Sequence, residues 1–91
     1  MTGVELIEAE RERQISAEGW SDEHDDEHDD HALAQAAVCY ATESWQPGDG
    51  DGLWPWDSSW WKPSPDPVRN LVKAGALIAA EIDRLQRLGG G

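Results

Sequence analysis

At 91 residues and 38 % hydrophobic, the chain makes one domain with a modest core and little room for an enclosed catalytic chamber. Its net charge of −12 disfavours general nucleic-acid binding, because backbone phosphates are repelled. The single Cys39 rules out a disulfide scaffold and fits a reducing compartment.

The charge is uneven. Residues 1–31 hold twelve acids and two arginines, and residues 32–91 hold seven acids and five bases. The spacing predicts a first helix over 4–18, with Val4, Ile7 and Ile15 near one face and Gly19 placed for a left-handed C-cap. Residues 21–31 read as an acidic loop or short helix, capped by Ser21 or Asp22. A helix over 32–42 follows, because Leu33, Ala36, Ala37 and Tyr40 recur at i, i+3, i+4, i+7. Cys39 sits inside that apolar pattern and reads as a buried structural thiol.

Residues 43–65 carry four prolines and five tryptophans, so a long regular element is not expected there. Left uncovered, so apolar a stretch would aggregate, and it is expected to pack back on the helices. Asp66-Pro67 then marks the start of a long helix over 66–88, with 89–91 as tail. Its core stripe is expected to be Val68, Leu71, Val72, Gly75, Ile78, Ile82 and Leu85, and its alanines make the middle slim. The fold class is all-α: about three helices, with a long Trp/Pro/Gly-rich structured loop between helices two and three. The longest apolar run, Ala74–Ala80, is too short to cross a bilayer and no charged-then-apolar leader opens the chain, so a soluble cytoplasmic protein is expected.

Two constellations can carry chemistry. In the run 23–31, His24, His28 and His31 share one face if the segment is helical, with Asp25 beside them. Imidazole and carboxylate together suit Zn²⁺, Mn²⁺ or Fe²⁺, so His24 and His28 are candidate metal ligands. The alternatives are a structural or ligand hydrogen-bonding role for His24 or His28 and a plain solvated loop. The second constellation sets Lys62, Arg69 and Lys73 beside Trp54, Trp56, Trp60 and Trp61. Aromatic faces stack on a base and small cations hold phosphate, which is what a nucleotide requires. The plainer reading is that these bases balance the acidic first thirty residues. No nucleophilic triad or phosphate-cradling glycine loop is present. Glu8, Glu12, Glu81 and Asp83 would resemble the acidic magnesium site of the MazG-type pyrophosphohydrolases if helices one and three face each other, but these four residues do not have the ExxE and ExxD spacing of that family.

Six ordered blocks resemble a family of small phage and prophage proteins. They are Glu10-Arg-Glu-Arg-Gln-Ile, Glu18-Gly-Trp, Glu23-His-Asp-Asp-Glu-His, Leu33-Ala-Gln-Ala-Ala-Val-Cys-Tyr-Ala, the pair Trp54-Pro-Trp with Trp60-Trp-Lys-Pro, and the run from Arg69 to Leu85. The resemblance covers residues 5–87 and departs at His31-Ala32, where a Gly-Glu pair is common. It implies retained polar groups at Arg13, Gln14, Trp20, His24, Asp25, His28, Trp61, Lys62, Arg69, Lys73 and Glu81. By analogy with counter-defence sponges, it implies an oligomer that sequesters a cyclic oligonucleotide or cyclic ADP-ribose-like immune signal without cleaving it. Trp54, Trp56, Trp60 and Trp61 would be walls or lid, Lys62, Arg69 and Lys73 would meet phosphate, and His24 or Asp25 the base or ribose edge. On this reading there is no catalytic residue and no cofactor, and the partners are a small nucleotide signal and further copies of the chain. The first alternative is an acidic, DNA-mimicking inhibitor of a host defence nuclease or CRISPR effector. The second is a metal-dependent nucleotide phosphohydrolase.

Overall fold

The computed structural model describes residues 1–27, 31–43, 54–56 and 58–89. Four α-helices run in order: α1 Gly3–Glu18, α2 Asp22–Asp26, α3 Ala32–Thr42 and α4 Pro67–Leu88. A 3₁₀ turn, Ser58–Trp60, stands between α3 and α4. The architecture is all-α. Among the described residues no helix is long and apolar enough to cross a membrane.

Local chemistry sets the helix ends. Thr2 caps α1 in a reciprocal box: its Oγ1 accepts from the Glu5 N–H at 3.2 Å, and its own N–H donates to Glu5 Oε1 at 3.0 Å. Gly19 closes α1 at φ 73°, a left-handed conformation that glycine adopts without steric cost. Ser21 Oγ accepts from the His24 N–H at 3.3 Å and opens the short α2, so the acidic segment is partly helical. Asp66 caps α4 by accepting from the Val68 N–H at 3.0 Å, with Pro67 in the first turn as expected.

The core lies between α3 and α4. Leu33, Ala36, Ala37 and Tyr40 meet Ala74, Leu77 and Ala80, and Trp20, Trp54, Trp56 and Trp61 pack over them half-buried. Here the expectation for the tryptophan segment holds over its described part. The predicted face of α3 also holds, and Cys39 is fully buried. Burial pushes its thiol above the usual value, which disfavours the reactive thiolate.

The expected stripe of α4 is corrected. Only Val72 of that set is buried; Val68, Leu71, Ile78, Ile82 and Leu85 are exposed and Gly75 is half-buried. The face turned inward carries Asn70, Ala74, Ala76, Leu77, Ala80, Glu81 and Arg84. Its polar members are viable inside because they bond one another or nearby chain. Asn70 Nδ2 donates to the Ser64 carbonyl at 2.8 Å and to Glu43 Oε1 at 2.6 Å, and its Oδ1 accepts from the Ser64 N–H. Arg84 Nε donates to Glu81 Oε1 at 2.6 Å in a buried pair. Its alanines let the α3 and α4 backbones approach closely, which a face of leucines and isoleucines would prevent.

α1 shows the same inversion. Val4 and Ile15 are exposed, whereas Glu10 and Gln14 are buried against α4. Only Ile7 of its apolar trio packs inward. A Cβ on Gly75 would fall 2.5 Å from Ile7 Cδ1, so glycine there allows the close crossing of α1 over α4.

Candidate functional site

A cleft of about 50 Å³ opens between α1, α3, α4 and the segment around Trp60. It holds a few waters or one phosphate-sized group. Glu10, Arg13, Gln14 and Glu18 reach it from α1 because spacings of three, four and eight residues place them on one helical face. Tyr40 and Leu77 form the floor shared with the core, and Trp20, Trp60, Lys62 and Lys73 complete the walls.

The cations here are held in place. Lys73 Nζ donates to the Lys62 carbonyl at 2.7 Å and lies 5.5 Å from the centre of the Tyr40 ring. Burial, together with the neighbouring Arg69 charge, pushes the Lys73 ammonium below its usual pKa. The Lys62 N–H donates to Tyr40 Oη at 3.2 Å, and its ammonium sits 5.6 Å from the Trp60 ring centre. Burial raises the Tyr40 hydroxyl and the Lys62 bond only partly offsets that.

Glu10 ties the basic groups together. Its Oε1 accepts from Arg13 Nε at 2.8 Å and from Arg69 Nη2 at 2.6 Å, and its Oε2 accepts from Gln14 Nε2 at 3.2 Å. Gln14 Oε1 is buried and accepts nothing among the described residues. Burial acts to raise the Glu10 carboxyl, but the Arg13 and Arg69 hydrogen bonds outweigh it and hold the group below its usual 4.5. A depressed carboxyl stabilises the fold fully above its unfolded value, and the benefit is lost as pH falls through its folded value. Glu10→Gln should therefore flatten the decline of stability that begins near 4.5 and continues below it, read from urea midpoints at successive pH values. An unchanged pH profile would show that Glu10 contributes nothing to acid sensitivity.

The proposed ligand residues divide into three places. Trp60, Lys62 and Lys73 border the cleft, and Arg69 supports it through Glu10. Trp54, Trp56 and Trp61 form an edge-to-face cluster over the core: Trp54 is 5.3 Å from Trp56 and 5.0 Å from Trp61, centre to centre. His24 and Asp25 lie apart from Lys62 and Lys73, on α2. The His24 ring stacks on Trp20 at 5.5 Å, its Nδ1 is 3.2 Å from Asp25 Oδ1, and Asp25 Oδ2 accepts from Arg11 Nη2 at 2.9 Å. Trp20 thus both borders the cleft and stacks on His24.

His28 lies outside the described residues, as do Trp45 and the aspartates 49, 51 and 57. α2 ends at Asp26 and His31 stands in a left-handed turn before α3, so His24 and His31 do not share one helix. Among the described residues no three His, Cys, Asp or Glu side chains gather as a metal would need. Glu81 is bound to Arg84, and Glu8 and Glu12 are exposed. Sequence reasoning placed Arg13 and Gln14 in a site only through the resemblance, and it missed Glu10, Glu18 and Tyr40. A signal existed: α1 has a polar face at i, i+3, i+4 and i+8 and too few apolar residues to pack by them alone.

No protein-family model, curated protein or solved structure matches the chain.

Proposed function

We propose that the protein captures a nucleotide-type signal, a cyclic oligonucleotide or cyclic ADP-ribose-like molecule, and holds it uncleaved as a phage counter-defence factor in the host cytoplasm. One observation carries this reading. In a chain of net charge −12 with only seven Lys and Arg, three of those bases line one cleft with Trp20, Tyr40 and Trp60, and a fourth braces it. The cleft takes a phosphate group on Arg13, Lys62 and Lys73. The half-exposed Trp60 offers a face on which a base stacks. Capture is stoichiometric, and the working form is a homo-oligomer.

The test is a titration with cyclic di- and trinucleotides and cyclic ADP-ribose isomers, following tryptophan emission and recovering the ligand after denaturation. The expected result is quenching with intact ligand recovered. Lys62→Ala with Lys73→Ala should weaken the affinity about 100-fold, the loss of two charge-assisted hydrogen bonds. Unchanged affinity in that double variant sinks the assignment, and altered ligand would establish an enzyme.

A second reading has its own support. Glu5, Glu8 and Glu12 are exposed on one outer face of α1, which suits a basic protein surface in the manner of a DNA-mimicking inhibitor. Reversing those three charges abolishes inhibition on that reading and leaves nucleotide capture intact on the first.

A further inference from the structure

α4 is turned inside out for a surface helix. Its basic side chains serve the chain's own interior and neighbours: Arg69 bonds Glu10, Lys73 the Lys62 carbonyl, Arg84 Glu81, and Arg87 Asp22 and Asp26. Most of its large aliphatic side chains face solvent, with Val68, Leu71, Ile78, Ile82 and Leu85 each 48–56 % exposed. With Gly75, which Ile7 of α1 covers, these positions advance by alternating steps of three and four, the strict a/d seam of a coiled coil rather than the broader stripe of a helix on a globular core. A seam of that period is complementary to another helix.

We infer that α4 pairs with α4 of a second copy along this seam, the two helices antiparallel about a two-fold axis. Three features select a second copy. The seam holds only Val, Leu, Ile and Gly, so it complements itself, as a two-fold interface requires. Its five half-exposed side chains offer on the order of 100 Å² each, so two closed faces bury about 1,000 Å², where specific interfaces begin. Copies carrying −12 apiece repel, so contact has to run through a face without acids, and no charged residue falls within the seam. An acidic or basic partner would find no counter-charge there. The antiparallel register sets Val68 against Leu85 and Leu71 against Ile82 and brings the two Ile78 side chains to the axis, while Gly75 keeps its contact with Ile7 of α1, and the helix dipoles are opposed.

Lys73 and Leu77 border the cleft from the side of α4 turned towards α3, away from the seam, so both clefts of a pair stay open. The inference rests on the oligomer part of the proposed function and not on its ligand, and the two fail separately.

Sedimentation equilibrium of the full chain decides the matter, with far-UV circular dichroism as the fold control. At about 100 µM the mass should be that of two chains, and Ile78→Asp should weaken pairing at least 100-fold without loss of helix. A single-chain mass for the native protein at that concentration, or a pair indifferent to Ile78→Asp, overturns the seam. Orientation is read separately by a short bismaleimide, since native Cys39 is buried and leaves an introduced thiol as the reactive one. Ile78→Cys should cross-link efficiently and Val68→Cys should not, because antiparallel pairing separates the two Val68 positions by about 25 Å along the axis at ~1.5 Å per residue. Efficient linking at Val68 overturns the antiparallel arrangement.

Discussion

Asp25→Ala is expected to cost about 3 kcal/mol of unfolding free energy, a large share of the total for so small a domain. The carboxylate is fully buried, and the Arg11 side chain that faces it is 11 % exposed. Arg11 Nε and Nη1 have no hydrogen-bond partner among the described residues, so Asp25 is what makes this enclosed guanidinium tolerable. Removing one member leaves a charge that neither water nor protein satisfies. The neighbouring pair behaves differently. Asp26, about half exposed, meets Arg87, which also holds Asp22, so Asp26→Ala should cost less than about 1 kcal/mol. Arg11→Met combined with Asp25→Leu should recover most of the loss, since replacing both charges leaves none stranded. Urea unfolding at neutral pH measures all three, and an Asp25→Ala midpoint close to native would show that Arg11 finds other partners.

Leu33→Ala should lower stability by about 3 kcal/mol, whereas Leu71→Ala should cost less than about 1 in dilute protein. Both remove the same atoms from a leucine on a helix. Leu33 is fully buried, and its core cluster is made of Ala36, Ala37, Ala74 and Ala80, whose methyl groups are too short to fill the hole, with Tyr40 and Leu77. Leu71 is more than half exposed, so truncation removes little burial within one chain. At high concentration Leu71→Ala should cost more, because paired chains gain stability by mass action and a weakened seam forfeits it. Equal effects in dilute solution would mean that the inverted orientation of α4 is wrong.

That contrast also marks how far the sequence could be read. Helix ends were legible because caps act locally: Gly19, Ser21 and the Asp66-Pro67 pair each do their work within four residues. The buried face of α3 was legible because its two largest side chains, Leu33 and Tyr40, stand seven residues apart on one face with Ala36 and Ala37 between them. On α4 the periodicity identified which residues share a face but not which face points inward. The aliphatic face was the natural choice, yet a slim alanine face went in, with polar groups that bond Ser64, Glu43 and one another. Those partners lie up to 27 residues away, beyond any local signal. The cleft divides in the same way. Trp60, Lys62 and Lys73 stood out as scarce cations beside aromatic rings, but Glu10 comes from 59 residues before the Arg69 it bonds.

The alanine contact between α3 and α4 has a consequence for how this protein can change. Where Ala36, Ala37, Ala74 and Ala80 meet, there is no volume for a larger side chain, so substitutions that improve packing elsewhere would force the two backbones apart here. The centre of the molecule is closed to innovation. New specificity has to be written on the perimeter, in the tryptophan segment and on the outer turns of α1, where residues can be exchanged without disturbing the axis that holds them.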